Sequence, residues 1–218
     1  MGSTSKTGRV VTAAFVLSLV APPLMAQATR ELDRELLRSS STGDVEQIRA
    51  LLERGADPNA EDEVGVTPLI NVASRGSNKA LRLLIDAGAR VDEDGRNGCT
   101  ALTWAAKNGR EKTIELLLDR GADIDHRDRG QMTPLMRAAW NGQFKAAEFL
   151  IRRGADVAAL DANGNSALTY AMASRSPRIQ GALRRQGVRA IVPSQEAAIA
   201  KVRSEPFVSC ARAAATPS

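Results

Sequence analysis

The amino-acid sequence predicts an all-α fold, a solenoid of about five helix-turn-helix units. The first observation is a constant period of 33 residues, which holds over about residues 34–187. The second is that four columns keep their place in this period: a hydroxyl residue, a leucine two places later, a second leucine and a glycine. Such a period is typical of proteins whose units pack on their neighbours, because one unit is too thin to bury its own apolar face.

Each column has a predicted role in a helix. The hydroxyl residues are expected to cap the first helix of a unit by accepting a hydrogen bond from a free backbone donor; they are Thr67, Thr100, Thr133 and Ser166. The two leucine columns are the expected core, namely Leu36, Leu69, Leu102, Leu135 and Leu168 on first helices and Leu51, Leu84, Leu117, Leu150 and Leu183 on second helices. The glycines should end the second helices in a left-handed conformation; they are Gly55, Gly88, Gly121, Gly154 and Gly187.

Residues 1–28 are predicted to be a secretory signal peptide. Lys6 and Arg9 supply its positive start, Val10–Val20 its apolar run, and Ala26 and Ala28 the small residues that a signal peptidase reads. Cleavage is expected after Ala28, or alternatively after Ala26. The apolar run is shorter than the about 20 residues that span a bilayer, so no stable membrane insertion is expected. The protein is therefore predicted to be exported, to the periplasm if it is bacterial, or otherwise secreted.

The repeat domain is expected to cover residues 29–187, with units at about 34–66, 67–99, 100–132, 133–165 and 166–187. The end units are predicted to face water on one side. Ser39 and Ser40 replace apolar residues in the first unit; in the last, Arg175 replaces a glycine and Arg184 an apolar residue. The tail, residues 188–218, is expected to form a helix over 194–203 and then to be disordered.

The segments "TPLINVASRG" and "TPLMRAAWNG", with the recurring "GAD", resemble the ankyrin repeat family. The resemblance covers about residues 34–187. It implies units joined by β-hairpin-like loops, here called fingers, and a scaffold that binds partner proteins. In one finger, Gly130 stands one place earlier than Gly65, Gly98 and Gly164 predict, so the same loop geometry is not predicted there.

Catalysis is not predicted. His126 is the one histidine of the sequence, and a His126–Cys99 dyad would lie in exposed loops without a pocket. The acidic run Asp92–Gly95 lacks the downstream glutamate of a calcium loop. No metal and no cofactor are expected.

Nucleic acid is not an expected partner. The formal net charge of +5 falls to +3 once the two cations of the signal are removed. A nucleic-acid-binding domain would need a clustered basic face.

The resemblance implies a partner-binding surface made by the fingers and the exposed side of the first helices. The candidate contact residues are Trp104, Lys107, Arg137, Trp140 and Tyr170 on first helices, and Arg127 and Arg129 on the third finger. Trp, Tyr and Arg are the residues that most often carry interface energy. Trp140 is expected to be exposed, whereas for Trp104 and Tyr170 packing in the core is an equal alternative.

Charge supplies a second indication of binding. The first finger carries Asp57, Glu61, Asp62 and Glu63, and the third finger is basic. Opposite charges at the two ends of a groove would orient a partner. The alternative is that these loops are merely solvated.

Cys99 and Cys210 are the two cysteines of the chain. In an oxidising compartment they are predicted to pair, which would tie the tail across the second and third units. The alternative is a bond between two molecules.

The sequence therefore predicts an exported, monomeric, non-enzymatic module that binds a partner protein. The alternative is an envelope-associated spacer protein, anchored by an uncleaved N-terminal segment. A small-molecule sensor is disfavoured, since a thin solenoid seldom forms a concave pocket.

Overall fold

The computed structural model describes residues 11–188 and Val202, with side chains from Gln27 onward. The described residues form ten α-helices and no named strand. The helices are α1 (Val11–Thr42), α2 (Val45–Glu53), α3 (Pro68–Arg75), α4 (Asn78–Asp86), α5 (Ala101–Lys107), α6 (Glu111–Asp119), α7 (Pro134–Trp140), α8 (Phe144–Arg152), α9 (Ala167–Ala173) and α10 (Pro177–Arg185). The predicted all-α repeat architecture is confirmed.

The helices lie in two layers. The odd-numbered helices form an inner layer and the even-numbered helices an outer layer, and each helix packs on the next one in its layer. The two helices of a unit also pack on each other. Every inner unit therefore buries apolar surface against both its neighbours, as the 33-residue period predicts.

The leucine columns form one continuous core. None of the ten predicted leucines is more than 2% exposed, and all belong to one cluster of buried side chains. The two layers thus share a single apolar spine that runs the length of the stack.

The predicted helix signals are confirmed. The hydroxyl of each predicted cap accepts a hydrogen bond from the backbone N–H three residues later; the caps are Thr67, Thr100, Thr133 and Ser166. The five glycines after the outer helices have φ between 79° and 95°. No Cβ penalty applies to glycine in this conformation, so the chain turns sharply into each finger.

Two other residues adopt the left-handed conformation where the remaining units have glycine. Gln131 has φ 60° and Arg175 has φ 53°. Gln131 occupies the position of Gly98 and Gly164. The finger before α7 therefore keeps the left-handed turn of the other fingers, although its glycine is shifted to position 130.

The expectation that Ser39 and Ser40 face water is wrong. Both are buried, because the face of α1 that carries them packs on α3. Ser40 occupies the register position of Ala73 and Ala106, and its hydroxyl is buried without a hydrogen-bond partner.

Beyond the fifth unit, only Val202 of the predicted 194–203 helix lies among the described residues. It is helical and 3% exposed, and it belongs to the apolar core. Arg184 is exposed, as expected for an end unit. Val188, the first tail residue, packs against this core. The other tail residues lie outside the described part of the chain.

Helix α1 runs through both predicted cleavage sites into the first unit. None of the helices in the described residues is long and apolar enough to cross a membrane. Cleavage and export stay predictions.

Replacing Ser40 with alanine should stabilise the fold. The substitution removes a buried hydroxyl without a partner and restores the small residue of the other units, so the free energy of unfolding should rise by about 1 kcal/mol. Urea denaturation measures the change. The control is Ser41→Ala, which removes a hydroxyl that bonds the Arg38 carbonyl at 2.7 Å near the surface and should shift stability by less than about 0.5 kcal/mol. Equal effects of the two substitutions would contradict the argument.

Candidate functional site

The fingers are the four loops that join each outer helix to the next inner helix, at residues 54–66, 87–99, 120–132 and 153–165. An aspartate organises three of them: Asp62, Asp128 and Asp161. One oxygen of each carboxylate accepts the backbone N–H groups two and four residues later, at 2.8 to 3.1 Å. The aspartate N–H also bonds the carbonyl four residues on. The fingers are therefore hairpin-like turns, as expected.

Gly95 occupies this position in the second finger. A Cβ there would lie 2.8 Å from the carbonyl oxygen of Gly65 in the first finger, closer than van der Waals contact allows. Glycine thus permits the close approach of two neighbouring finger backbones.

The second carboxylate oxygen of Asp128 binds Arg137 on α7. Arg137 donates from Nε at 2.9 Å and also from Nη2, and both residues are buried. The expectation that Arg137 lies on an exposed face is wrong, because its guanidinium turns inward to the finger that precedes its own helix. A charge-assisted pair of this kind fixes finger and helix to each other.

Tyr170 repeats the arrangement one unit later. Its hydroxyl donates to the second oxygen of Asp161, and its side chain is fully buried. Burial first, and then the hydrogen bond to Asp161, raise the pKa of the Tyr170 hydroxyl. Of the two alternatives for Tyr170, packing in the core is correct.

Trp104 lies in the same column and is also core, at 6% exposed. Lys107 extends its ammonium over the indole, with Nζ 4.3 Å from the ring centroid. Burial, and then the charge of Arg137, lower the pKa of Lys107. Lys107, which is only partly buried, therefore reaches the surface above a buried tryptophan.

Trp140 is partly buried, so its expected exposure is only partly correct. Its ring packs edge-to-face on Tyr170, with centroids 5.4 Å apart and planes at 87°. Trp140 and Lys107 thus lie at the solvent-facing surface of the inner layer, and the buried Tyr170 and Trp104 pack beneath them.

Arg127 and Arg129 are exposed on the third finger, as predicted. Arg127 Nη1 donates to the carbonyl of Leu160 in the fourth finger at 2.8 Å. The backbone N–H of Arg129 donates to the carbonyl of Asn97 in the second finger at 3.3 Å. Neighbouring fingers are therefore bonded to one another.

Two exposed apolar residues were missed by sequence reasoning. Val64 on the first finger is 50% exposed and Leu160 on the fourth is 39% exposed; they are the exposed large apolar side chains of the described residues. The 33-residue period holds a signal for them, because each is apolar where another unit has a polar residue. Asn97 and Asn163 occupy the position of Val64, and Arg127 occupies the position of Leu160.

The residues of the candidate dyad, His126 and Cys99, are engaged elsewhere. A ring nitrogen of His126 lies 3.0 Å from the carbonyl oxygen of Gly98. Cys99 is 1% exposed and disulfide-bonded, so it is not a free nucleophile. Cys210 lies outside the described residues, and its pairing with Cys99 stays a prediction. In the part of the chain that the structure describes, no group of three or more His, Cys, Asp or Glu side chains could hold a metal ion.

Comparison with protein-family models gives two matches. Residues 36–128 match ankyrin repeats in three copies, and residues 117–171 match ankyrin repeats in many copies. Together the matches extend from residue 36 to residue 171, which is more than half of the chain. A comparison with curated proteins returned no match.

Replacing Asp128 with alanine should destabilise the protein strongly. Arg137 would stay buried without its carboxylate, and the finger would lose two backbone hydrogen bonds, so the free energy of unfolding should fall by about 3–5 kcal/mol. The double variant Asp128→Ala, Arg137→Met removes the stranded charge and should recover part of the loss. A loss below about 1 kcal/mol in the single variant, as a surface ion pair would give, would contradict the buried brace.

The single tyrosine allows a direct test by absorbance. Because the pKa of Tyr170 is higher in the folded state, the native protein keeps its phenolic proton above pH 10 while the unfolded chain releases it. The free energy of unfolding should therefore fall as pH rises above about 10, and Tyr170→Phe should reduce this slope. Tyrosinate absorbance should appear only with unfolding. A native-state titration near pH 10, without unfolding, would show that the hydroxyl is solvated.

Proposed function

The chain belongs to the ankyrin repeat family, and from this premise we propose that it is an exported, non-enzymatic module that holds a partner protein against its fingers and inner helices. Ankyrin repeats generally mediate protein–protein interactions. The observation that carries the proposal is the bracing of the fingers, since a surface fixed before binding loses less conformational freedom when the partner docks.

The bracing has two parts. Asp128 and Asp161 fix their fingers to α7 and α9 through Arg137 and Tyr170. Side-chain and backbone bonds then join successive fingers, such as Arg127 to the Leu160 carbonyl. The partner would thus meet an ordered row of loop tips.

The candidate contact residues divide by depth. Lys107 and Trp140 on the inner helices, with Arg127 and Arg129 on the third finger, are the ones we assign to the partner. Trp104, Arg137 and Tyr170 lie beneath them and act by positioning, since they are buried. An aromatic ring and three cations suit a partner with an exposed apolar side chain and acidic surroundings.

Two observations support export. Residues 1–28 have the composition of a signal peptide. Cys99 is disulfide-bonded, and disulfides persist mainly in oxidising compartments.

An envelope-associated spacer is the second candidate, and the continuity of α1 favours it. One helix extends from Val11 into the first unit, so an uncleaved N-terminal segment would be joined rigidly to the repeats. Cell fractionation with N-terminal sequencing separates the candidates: a cleaved form in the soluble fraction supports the module, whereas membrane retention of the intact chain supports the spacer.

The surface around Trp140 can be tested in the native compartment. A photo-crosslinking amino acid at position 140 should capture one partner protein, and the same group at Glu115, an exposed position on the outer helix α6, should not. Trp140→Ala should then weaken binding of that partner by at least about 1 kcal/mol. Capture from both positions alike, or unchanged affinity in Trp140→Ala, would contradict this surface.

The pairing of Cys99 with Cys210 can be tested by counting thiols. The purified monomer should have no free thiol without reductant and two with reductant, because a disulfide consumes both cysteines of the chain. Two free thiols without reductant would contradict the pairing, and a covalent dimer on a non-reducing gel would indicate the intermolecular alternative.

A further inference from the structure

One edge of the stack carries a row of cations that the proposed binding surface does not use. This edge lies opposite to the fingers, where each inner helix turns into its outer helix. The second residue of every outer helix from the second unit to the fifth is an exposed cation. These four residues, here called the basic row, are Lys79, Lys112, Lys145 and Arg178.

The surroundings of the basic row are also positive. The segments 75–79, 108–112, 141–145 and 174–178 contain seven cations and one acid, Glu111. Arg75, Arg110 and Arg175 are exposed beside the row. The fingers at the opposite edge contain twelve acids, including Glu61 and Glu63, and seven cations, so the two edges of the stack carry opposite charge.

The described residues offer the basic row no counter-ion. Within the described part of the chain, none of its four members forms an ion pair. The ion pairs between outer helices lie at the finger end, where Arg120 bonds Asp86 and Arg153 bonds Asp119. Among the described residues no carboxylate neutralises the row, so its four charges are available to an acidic partner.

Helix stability does not account for the basic row. The N-terminus of a helix carries partial positive charge, so acids are favoured in the first turn and cations are disfavoured. Helices α4, α8 and α10 have no acid in the first turn and a cation instead. The same unfavourable choice recurs at a constant register, which is expected of a binding surface and not of a stabilising one.

We propose that the basic row binds an extended acidic segment of a protein, at a second interaction surface separate from that around Trp140. Adjacent helices pack about 8–10 Å apart, and an extended chain advances about 3.3 Å per residue. An acid at every third residue therefore meets the successive cations, and a segment of about ten residues spans all four.

A protein segment fits this edge better than a bilayer does. Membrane-surface binding combines cations with inserted apolar side chains. The exposed large apolar side chains of the described residues, Val64 and Leu160, lie on fingers at the other edge. Phe144, the aromatic residue beside the row, is partly buried and covered by the guanidinium of Arg178, 5.0 Å from the ring centroid.

The test uses the full chain and a charge-reversed row: Lys79→Glu, Lys112→Glu, Lys145→Glu and Arg178→Glu. These substitutions place acids where the helix dipole favours them, so the melting temperature should stay the same or rise. The control reverses four exposed arginines elsewhere, namely Arg38→Glu, Arg54→Glu, Arg184→Glu and Arg185→Glu. Both variants change the net charge equally.

The probe is a fluorescent peptide of about ten residues with glutamate at every third position and serine between. Fluorescence anisotropy at low ionic strength should detect binding to the wild-type chain and to the control, and at least about tenfold weaker binding to the reversed row. A peptide with its glutamates clustered at one end should bind less well than the spaced peptide.

Equal affinity of the wild type and the reversed row would overturn the proposal, and so would equal losses in both variants. A different result would assign the edge to a bilayer instead: vesicles of anionic phospholipid bind the wild type but not the reversed-row variant, and the spaced peptide does not bind the wild type. Crosslinking at position 140 can succeed or fail independently of these outcomes.

Discussion

Burial between neighbouring units is the constraint on which the whole structure depends. A pair of helices of seven to nine residues has apolar surface on several sides and no interior of its own. Stacking closes these surfaces into the leucine spine, in which Leu84 and Leu117 have no exposed area. The same stacking brings every finger beside the next one, and so it creates the row of fingers, the face of the inner helices and the edge that carries the basic row.

The buried carboxylates extend this order from the helices into the fingers. Asp128 and Asp161 each use one oxygen to shape the loop and the other to hold the inner helix that follows. Arg137 and Tyr170 are different residues in the same register position, so two different chemistries perform one task. Because they face inward, the candidate contact residues that remain at the surface are Lys107, Trp140 and those of the finger tips.

The sequence predicts the fold well, because periodic packing leaves a periodic record of caps, leucines and glycines. It predicts the site less well. Nothing in the residue type of Arg137 or Tyr170 tells whether its polar end meets water or an aspartate nine residues upstream, and the burial of Ser40 depends on how α1 packs on α3. The four cations of the basic row recur every 33 residues in the sequence, but only the alignment of the outer helices shows that they lie along one edge.

Native-state hydrogen exchange of the finger amides tests the account most directly. If the fingers belong to the folded stack, the amides of Met132 and Asn165, which bond Asp128 and Asp161, should exchange as slowly as those of the adjoining inner helices. Asp128→Ala should release Met132 and leave Asn165 protected. Exchange of both amides at the rate of an open loop, while the helices stay protected, would contradict the claim that this protein presents a surface fixed before binding.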